Sequence, residues 1–196
     1  LNPFLADALQ RAGRLKEAAR QYDRLAAESS DSPTARRYRY FSALANFQAN
    51  NFAQAAKTLD AFFGTLRRME GPADAAKDIL APPFDPGGGI AGDTVASAAL
   101  ILRADILAAK HQYADAHTAY LRAIPAAQTV GPENVFLAYS HLVDFSVRHA
   151  RDRLLDHIDA LVNAMQDTRA YLFVIDRLYE GEFYKHLLKY TDVCLK

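Results

Sequence analysis

RLKEAARQYDRLA, residues 14–26, sets apolar side chains at Leu15, Ala18, Ala19, Tyr22, Leu25 and Ala26. Counted from Leu15 the offsets are +3, +4, +7, +10 and +11. They make one stripe of a helical period, so the stretch reads as an amphipathic helix. The same offsets return along the chain. NFAQAAKTLDAFF (51–63) places Phe52, Ala55, Ala56, Leu59, Phe62 and Phe63 in register, and QYADAHTAYLRAI (112–124) places Tyr113, Ala116, His117, Tyr120, Ala123 and Ile124. RDRLLDHIDALV (151–162) fits after its first position through Leu154, Leu155, Ile158, Leu161 and Val162. EFYKHLLKYTDVC (182–194) supplies Phe183, His186, Leu187, Tyr190, Val193 and Cys194. Another apolar-periodic segment precedes each copy, ending near a breaker at Gly13, Asn50 and Asn51, His111, His149 or Gly181.

The copies begin at 15, 52, 113, 151 and 183, giving steps of 37, 61, 38 and 32. Three of these lie near the roughly 34-residue step of a helix–turn–helix repeat. The chain reads as all-α, with helices expected over 3–12, 15–28, 33–49, 52–69, 93–110, 113–127, 132–148, 150–166, 168–179 and 182–195. No strand alternation competes.

GRLKEA (13–18), NNFAQA (50–55) and HQYADA (111–116) resemble the turn that opens the second helix of a tetratricopeptide (TPR) repeat: Gly, an aromatic or Leu two residues on, then Ala. Only the first copy keeps the Gly. The small residue has a physical purpose, because Ala18, Ala55 and Ala116 let two helices approach where a larger side chain would overpack. The family's aromatic one turn later matches Tyr22 and Tyr120, with Leu59 in the second copy. The early bulky aromatic of each first helix is missing, there being no Trp, and copies four and five carry Leu154 and His186 in place of Ala. The resemblance implies an α-solenoid of antiparallel helix pairs, with repeats one and two in 1–70 and repeats three to five in 94–196.

The long step contains about 27 residues beyond the usual repeat and falls in the Pro/Gly-rich stretch 71–93, where Pro82, Pro83 and Pro86 forbid a continuing helix. Residues 82–89 are expected to be the most mobile and protease-sensitive internal segment. Its apolar Ile79, Leu80 and Phe84 suggest a second use, as a loop docking on the groove or on a partner. Gly87, Gly88 and Gly89 before a helix suit a phosphate cradle in principle. No strand precedes them and no Gly-Lys-Ser/Thr follows, so a nucleotide site is not read here.

Lys+Arg and Asp+Glu are 23 each, so no global field draws nucleic acid or anionic lipid. TARRYRY (34–40) is the densest basic stretch, and three arginines at a helix start oppose the macrodipole. A partner role suits them, with an acidic peptide preferred over nucleic acid. His149, Asp152 and Asp156 are spaced i, i+3 and i+7, as if on one helical face, and His111, Asp115 and His117 cluster at another turn. Neither set has a zinc spacing, and Asp152 and Asp156 alternate with Arg151 and Arg153 like a solvated face. No metal, cofactor or catalytic constellation is expected. His117 and His186 occupy stripe positions and read as neutral, hydrogen-bonded histidines between helices, with a pH-sensitive interface as the alternative. Cys194 is the single cysteine; it excludes an internal disulfide and locates no compartment. The apolar run TVASAALILRADILAAK is broken by Arg103 and Asp105, so no membrane span is expected. The opening Leu1 suggests a fragment or a processed product.

TPR proteins bind partners with the first helix of each pair. Carried over through the turn alignment, the groove positions are Asp7, Gln10 and Arg11; then Arg37, Tyr40, Leu44, Phe47 and Gln48; then Ile101, Asp105, Ala108 and Ala109. Arg37, Tyr40 and Phe47 fall at i, i+3 and i+10, one face of one helix. The carboxylate clamp that some TPRs use for chaperone C-termini is not matched, since Pro3 replaces its first Lys and Asp7 and Leu44 its Asn residues. The function implied is a non-catalytic interaction module holding a peptide or partner subunit, with Asp7, Arg11, Arg37, Tyr40, Leu44, Phe47 and Asp105 as contact residues. The alternative is a structural subunit stacking through its terminal helices, for which the last stripe (Phe183, Leu187, Tyr190, Val193 and Cys194) is expected to be exposed. An enzyme built on the His149/Asp152 face is the third and weakest reading.

Overall fold

The computed structural model describes residues 2–29, 32–70 and 94–194, and among these every regular element is helical. In chain order they are α1 (Pro3–Arg11), α2 (Leu15–Glu28), α3 (Ser32–Gln48), α4 (Phe52–Glu70), α5 (Thr94–Ala109), α6 (Tyr113–Val130), α7 (Pro132–His149), a 3-10 turn (Arg151–Arg153), α8 (Leu154–Met165), α9 (Thr168–Glu180) and α10 (Tyr184–Cys194). The expectations for 71–93, including the mobility of 82–89 and the docking loop, lie outside the described residues.

The helices follow the apolar periodicity closely, and the two departures have physical causes. Helix α6 runs through Pro125 to Val130. The ring removes one backbone hydrogen bond, but Pro125 lies on the exposed side, where solvent can take the freed carbonyl. At the other departure Ala150 leaves the helical region (φ −145, ψ 54) and α8 begins only after the 3-10 turn. His149, Asp152 and Asp156 therefore do not share one helix, which corrects the single face expected for them.

Four linkers share one geometry. Gly13, Asn50, His111 and Glu182 each sit at the middle of a three-residue connection with φ between 57° and 74°. The residue after each donates its N–H five residues back: Arg14 to Leu9, Asn51 to Asn46, Gln112 to Leu107 and Phe183 to Leu178, at 2.8–2.9 Å. The central residues bond three back, Gly13 to Gln10, Asn50 to Phe47, His111 to Ala108 and Glu182 to Tyr179. This is the Schellman closure, in which a left-handed residue satisfies the last carbonyls of the helix. The family's Gly is the residue best suited to that conformation, and Asn is next. His111 and Glu182 adopt it without that advantage.

The chain divides into two compact units: α1–α4 with Leu102–Gln112, and the start of α5 with α6–α10. In the first, α1 packs on α2, α2 on α3 and α3 on α4, around Ala6, Leu9, Ala18, Ala19, Tyr22, Leu25 and Ala45, flanked by Tyr38 and Phe41. In the second, α6 to α10 pack in sequence and α7 also meets α9. Its core holds Val143, Leu154, Ile158, Leu161, Val174, Leu178 and Tyr190. Ala18, Ala55 and Ala116 are all 0% exposed. No helix among the described residues is long and apolar enough to cross a membrane.

The last stripe faces inward, contrary to expectation. Tyr190 is buried, and Phe183 and Leu187 pack against the second core. The side chains of Val193 and Cys194 lie outside the described residues. What α10 presents outward is Tyr184 and Leu188, the latter 70% exposed.

Ala55→Leu or Ala116→Leu should destabilise the protein by about 1–3 kcal/mol through overpacking, whereas the same change at exposed Ala53 should be nearly neutral in urea denaturation. Equal effects at Ala53 and Ala55 would contradict the packing phase. At the last turn, Glu182→Gly should raise stability by about 0.5–1 kcal/mol, because relief of the left-handed strain exceeds the glycine's added unfolded-state entropy. A lower melting temperature for that variant would count against strain at this turn.

Candidate functional site

The residues singled out as partner contacts all fall in the first unit, on α1, α3 and the Leu102–Gln112 segment. On α1, exposed Asp7 and Arg11 pair with each other at 3.0 Å. Such an exposed i, i+4 pair contributes only a few tenths of a kcal/mol, so both charges remain available. Gln10 Nε2 donates to Gln48 Oε1 at 3.0 Å, tying α1 to α3.

Along α3, Arg37 and Gln48 are exposed while Tyr40, Leu44 and Phe47 are half-buried. The guanidinium of Arg37 lies 5.7 Å from the Phe41 ring centroid, and Tyr40 is tilted against the same ring at 5.4 Å. Phe41 in turn packs on Tyr22, which stacks on Tyr38. Phe47 meets Phe52 at 5.6 Å at the far end of the helix. The α3 face is thus an aromatic ridge held from below by buried rings. Two of its phenols ionise late. Tyr40 is pushed up by burial and by the negative field of Asp105. Tyr22 is pushed up by burial and by Asp7, against the opposing pull of Arg11. Asp7 and Arg11 therefore act on the ring stack below α3, and Asp105 acts on Tyr40.

Two residues are placed otherwise than the carry-over implies. Ile101 is buried, so it offers no exposed side chain to a partner. Ala108 and Ala109 are half-buried and present little side chain. Arg103, not among the carried-over positions, joins the end of α5 to α4 by reaching Asp60 at 3.8 Å and the Phe63 ring at 5.5 Å.

Sequence reasoning missed the polar networks. In the first unit, Ser42 Oγ donates to Asp23 Oδ1 at 2.6 Å, and Asn46 Nδ2 donates to the Ser42 carbonyl at 3.0 Å. In the second, Arg177 meets Asp144, Asp176 and Glu180. Tyr190 donates to Asp159 Oδ1 at 2.6 Å, and Lys189 to the same atom at 2.7 Å. Burial and the adjacent carboxylate push the Tyr190 phenol up to about 12. A further network joins His117 to His157. Only a hydrophilic interruption of the stripe at His117 signalled it, since His157 lies off the stripe. No group of three or more His, Cys, Asp or Glu among the described residues is arranged to hold a metal ion. His186 is half-buried on α10.

An exposed apolar patch lies on the last two helices. Leu172, Tyr179, Tyr184 and Leu188 are all more than half exposed, and Tyr179 and Tyr184 meet edge to face at 5.9 Å. Comparisons with protein-family models, with curated proteins and with solved structures found no match.

The Tyr40 phenol provides a check on the site. In a spectrophotometric titration, the difference between the parent and Tyr40→Phe isolates this group, and its midpoint should lie above that of a free tyrosine. Asp105→Asn should move that midpoint down by removing the negative field. An unchanged midpoint would mean that Asp105 does not act on this ring.

Proposed function

We propose that the chain is a TPR-like interaction module, an α-solenoid of antiparallel helix pairs that binds a peptide or partner subunit non-catalytically, as an adaptor or scaffold. The observation that carries this reading is the α3 ridge with its neighbours. Arg37, Tyr40, Leu44 and Phe47 run along one helix face, Asp7 and Arg11 flank it from α1, and Asp105 acts from the end of α5. Arginine and aromatic side chains dominate binding energetics at protein interfaces. The mixed charges favour a polar peptide with anchoring apolar residues over a polyanion, and the zero net charge weighs against nucleic acid. The four recurrent left-handed turns support the repeat reading more strongly than the sequence motif alone, because they recur in conformation where the motif's Gly is lost.

A second reading, a structural subunit joined through its C-terminal helices, is favoured by the exposed Leu172, Tyr179, Tyr184 and Leu188 patch.

Selection of a displayed random-peptide library on the parent protein tests the first reading. Peptides enriched on the parent should bind the Arg37→Ala, Phe47→Ala double variant weaker by about 2 kcal/mol or more, with helical circular dichroism and melting temperature preserved. If the double variant melts well below the parent while its folded fraction binds the same peptides equally, the ridge is structural and the stacking reading leads. Light scattering of the parent against Tyr184→Glu, Leu188→Glu then tests that second reading, which requires the parent's larger particle to dissociate.

A further inference from the structure

In the second unit a single hydrogen-bond chain crosses three consecutive helices. Ser146 on α7 donates its hydroxyl to the Leu142 carbonyl at 2.7 Å. Its oxygen therefore accepts from His157 Nδ1 on α8, also at 2.7 Å, and that nitrogen must carry the proton. His157 Nε2 is then an acceptor, taking the Nε2 proton of His117 on α6 at 3.2 Å. This leaves the His117 Nδ1 lone pair toward Arg153 Nη1 at 3.5 Å, which can only donate. Both ends impose the same direction, a carbonyl that can only accept and a guanidinium that can only donate. With this direction of donation both rings are neutral, and the tautomers are assigned from the network.

An added proton is costly in this chain. On His157 Nε2 it makes His117 switch tautomer and turn its Nδ1–H toward the Arg153 guanidinium, and it places a charge on a ring only 8% exposed. On His117 Nδ1 it would set an N–H against a guanidinium. We propose that the His117–His157 pair is an acid-operated latch: protonation breaks the α6–α8 contact and loosens α6, α7 and α8 while the first unit stays closed.

The surrounding charges fit this reading. The 3-10 turn contributes Arg153, which opposes protonation, and Asp152, which favours it; α8 contributes Asp156, also favouring it. On α6, Asp115 is exposed, and on α7, His149 stacks on Tyr113 at 4.2 Å. Arg177 of α9 is engaged by Asp144, and Asp159 of α8 by Lys189 and Tyr190 of α10. The second-unit part of α5, residues 94–101, carries no titratable side chain. Burial is the largest influence on both rings, and it lowers His157 to about 4. A metal bridging the two Nε2 atoms is the competing use of such a pair. It is disfavoured by the cationic Arg153 beside His117 and by the lack of a third ligand among the described residues.

The sign follows from proton binding. Between the ordinary histidine value and about 4, the open form binds more protons than the closed one, so closure is complete above that window and is lost as pH falls through it. A shift of that size allows opening to rise by about thirtyfold between pH 7.5 and 5.

Amide hydrogen exchange of the whole chain, compared at these two pH values and normalised to α1–α4, reads the latch directly. Of the six histidines only His111 belongs to the first unit, which therefore serves as an internal reference. Relative protection of α6–α8 should drop by at least about tenfold at pH 5. His117→Gln offers either an amide donor or an oxygen acceptor to His157, so it should keep the contact in both protonation states and abolish most of the drop. Arg153→Gln should move the opening midpoint to higher pH. An unchanged α6–α8 protection at pH 5 would overturn the latch, as would a drop in His117→Gln equal to that of the parent. Stabilisation at pH 7.5 by one equivalent of Zn2+, lost in His117→Gln, would replace it with a metal site.

Discussion

The approach distance between paired helices is the constraint on which the rest depends. A three-residue connection with one residue at positive φ fixes the phase of the second helix relative to the first. Once that phase is set, the residue at the inward position four steps into the second helix faces its partner at close range, which suits a small side chain. Ala18, Ala55 and Ala116 fill that position with no exposed surface. Turn and alanine occur together at three of the four connections; the Glu182 turn has His186 at that position, and α9 and α10 still pack on each other. The buried rings that follow, Tyr22 and Tyr120, take their depth from this spacing, as do Leu59 and Phe62 in the α4 copy.

The chain has no tryptophan and covers its half-buried rings differently. Arg37 lies over Phe41, Arg151 over Phe183, Arg169 over Phe136 and Arg177 over Phe173, and Arg103 over the buried Phe63, with the guanidinium carbon 4.2–5.7 Å from each ring centroid. A planar, weakly hydrated cation shields an aromatic face without leaving a polar group stranded. Several of these arginines also hold a carboxylate, Arg169 with Glu133 and Arg177 with Asp144. The balanced composition thus conceals a local pattern, in which positive charge is spent on ring faces and negative charge on tethering the arginines. Arg37, at the start of α3, lies over Phe41 with its own side chain exposed.

Helix positions were legible in the sequence because the apolar stripe has the helical period, and the stripe is what the core buries. The hairpin alanines were legible for the same reason. The left-handed turn was legible only at Gly13 and in part at Asn50. At His111 and Glu182 the conformation is imposed by the helices on either side, which no local residue preference announces. The inward face of α10 was misread because a stripe at the end of a chain looks unpartnered in sequence, whereas Tyr190 finds both a core and an acceptor, Asp159, from α8. The α3 ridge was legible as an alignment of residue types. Its setting was not, since Tyr40 is tilted against the Phe41 ring and feels the charge of Asp105, sixty-five positions away.

The α7–α8 junction has neither the left-handed turn nor the alanine. Its connection runs through Ala150 and a 3-10 turn with no left-handed residue, and the position that holds alanine elsewhere is Leu154, fully buried. The hydrogen-bond chain from Arg153 through His117 and His157 to Ser146 lies at this junction. It joins α8 to α7 directly and to α6 beyond it, a directional polar connection beside the apolar packing of Val143, Leu154 and Ile158. Close packing has no dependence on pH in the physiological range, whereas an imidazole pair does. Adding this connection to the apolar packing at the junction gives the second unit a sensitivity to acid that apolar packing alone does not provide.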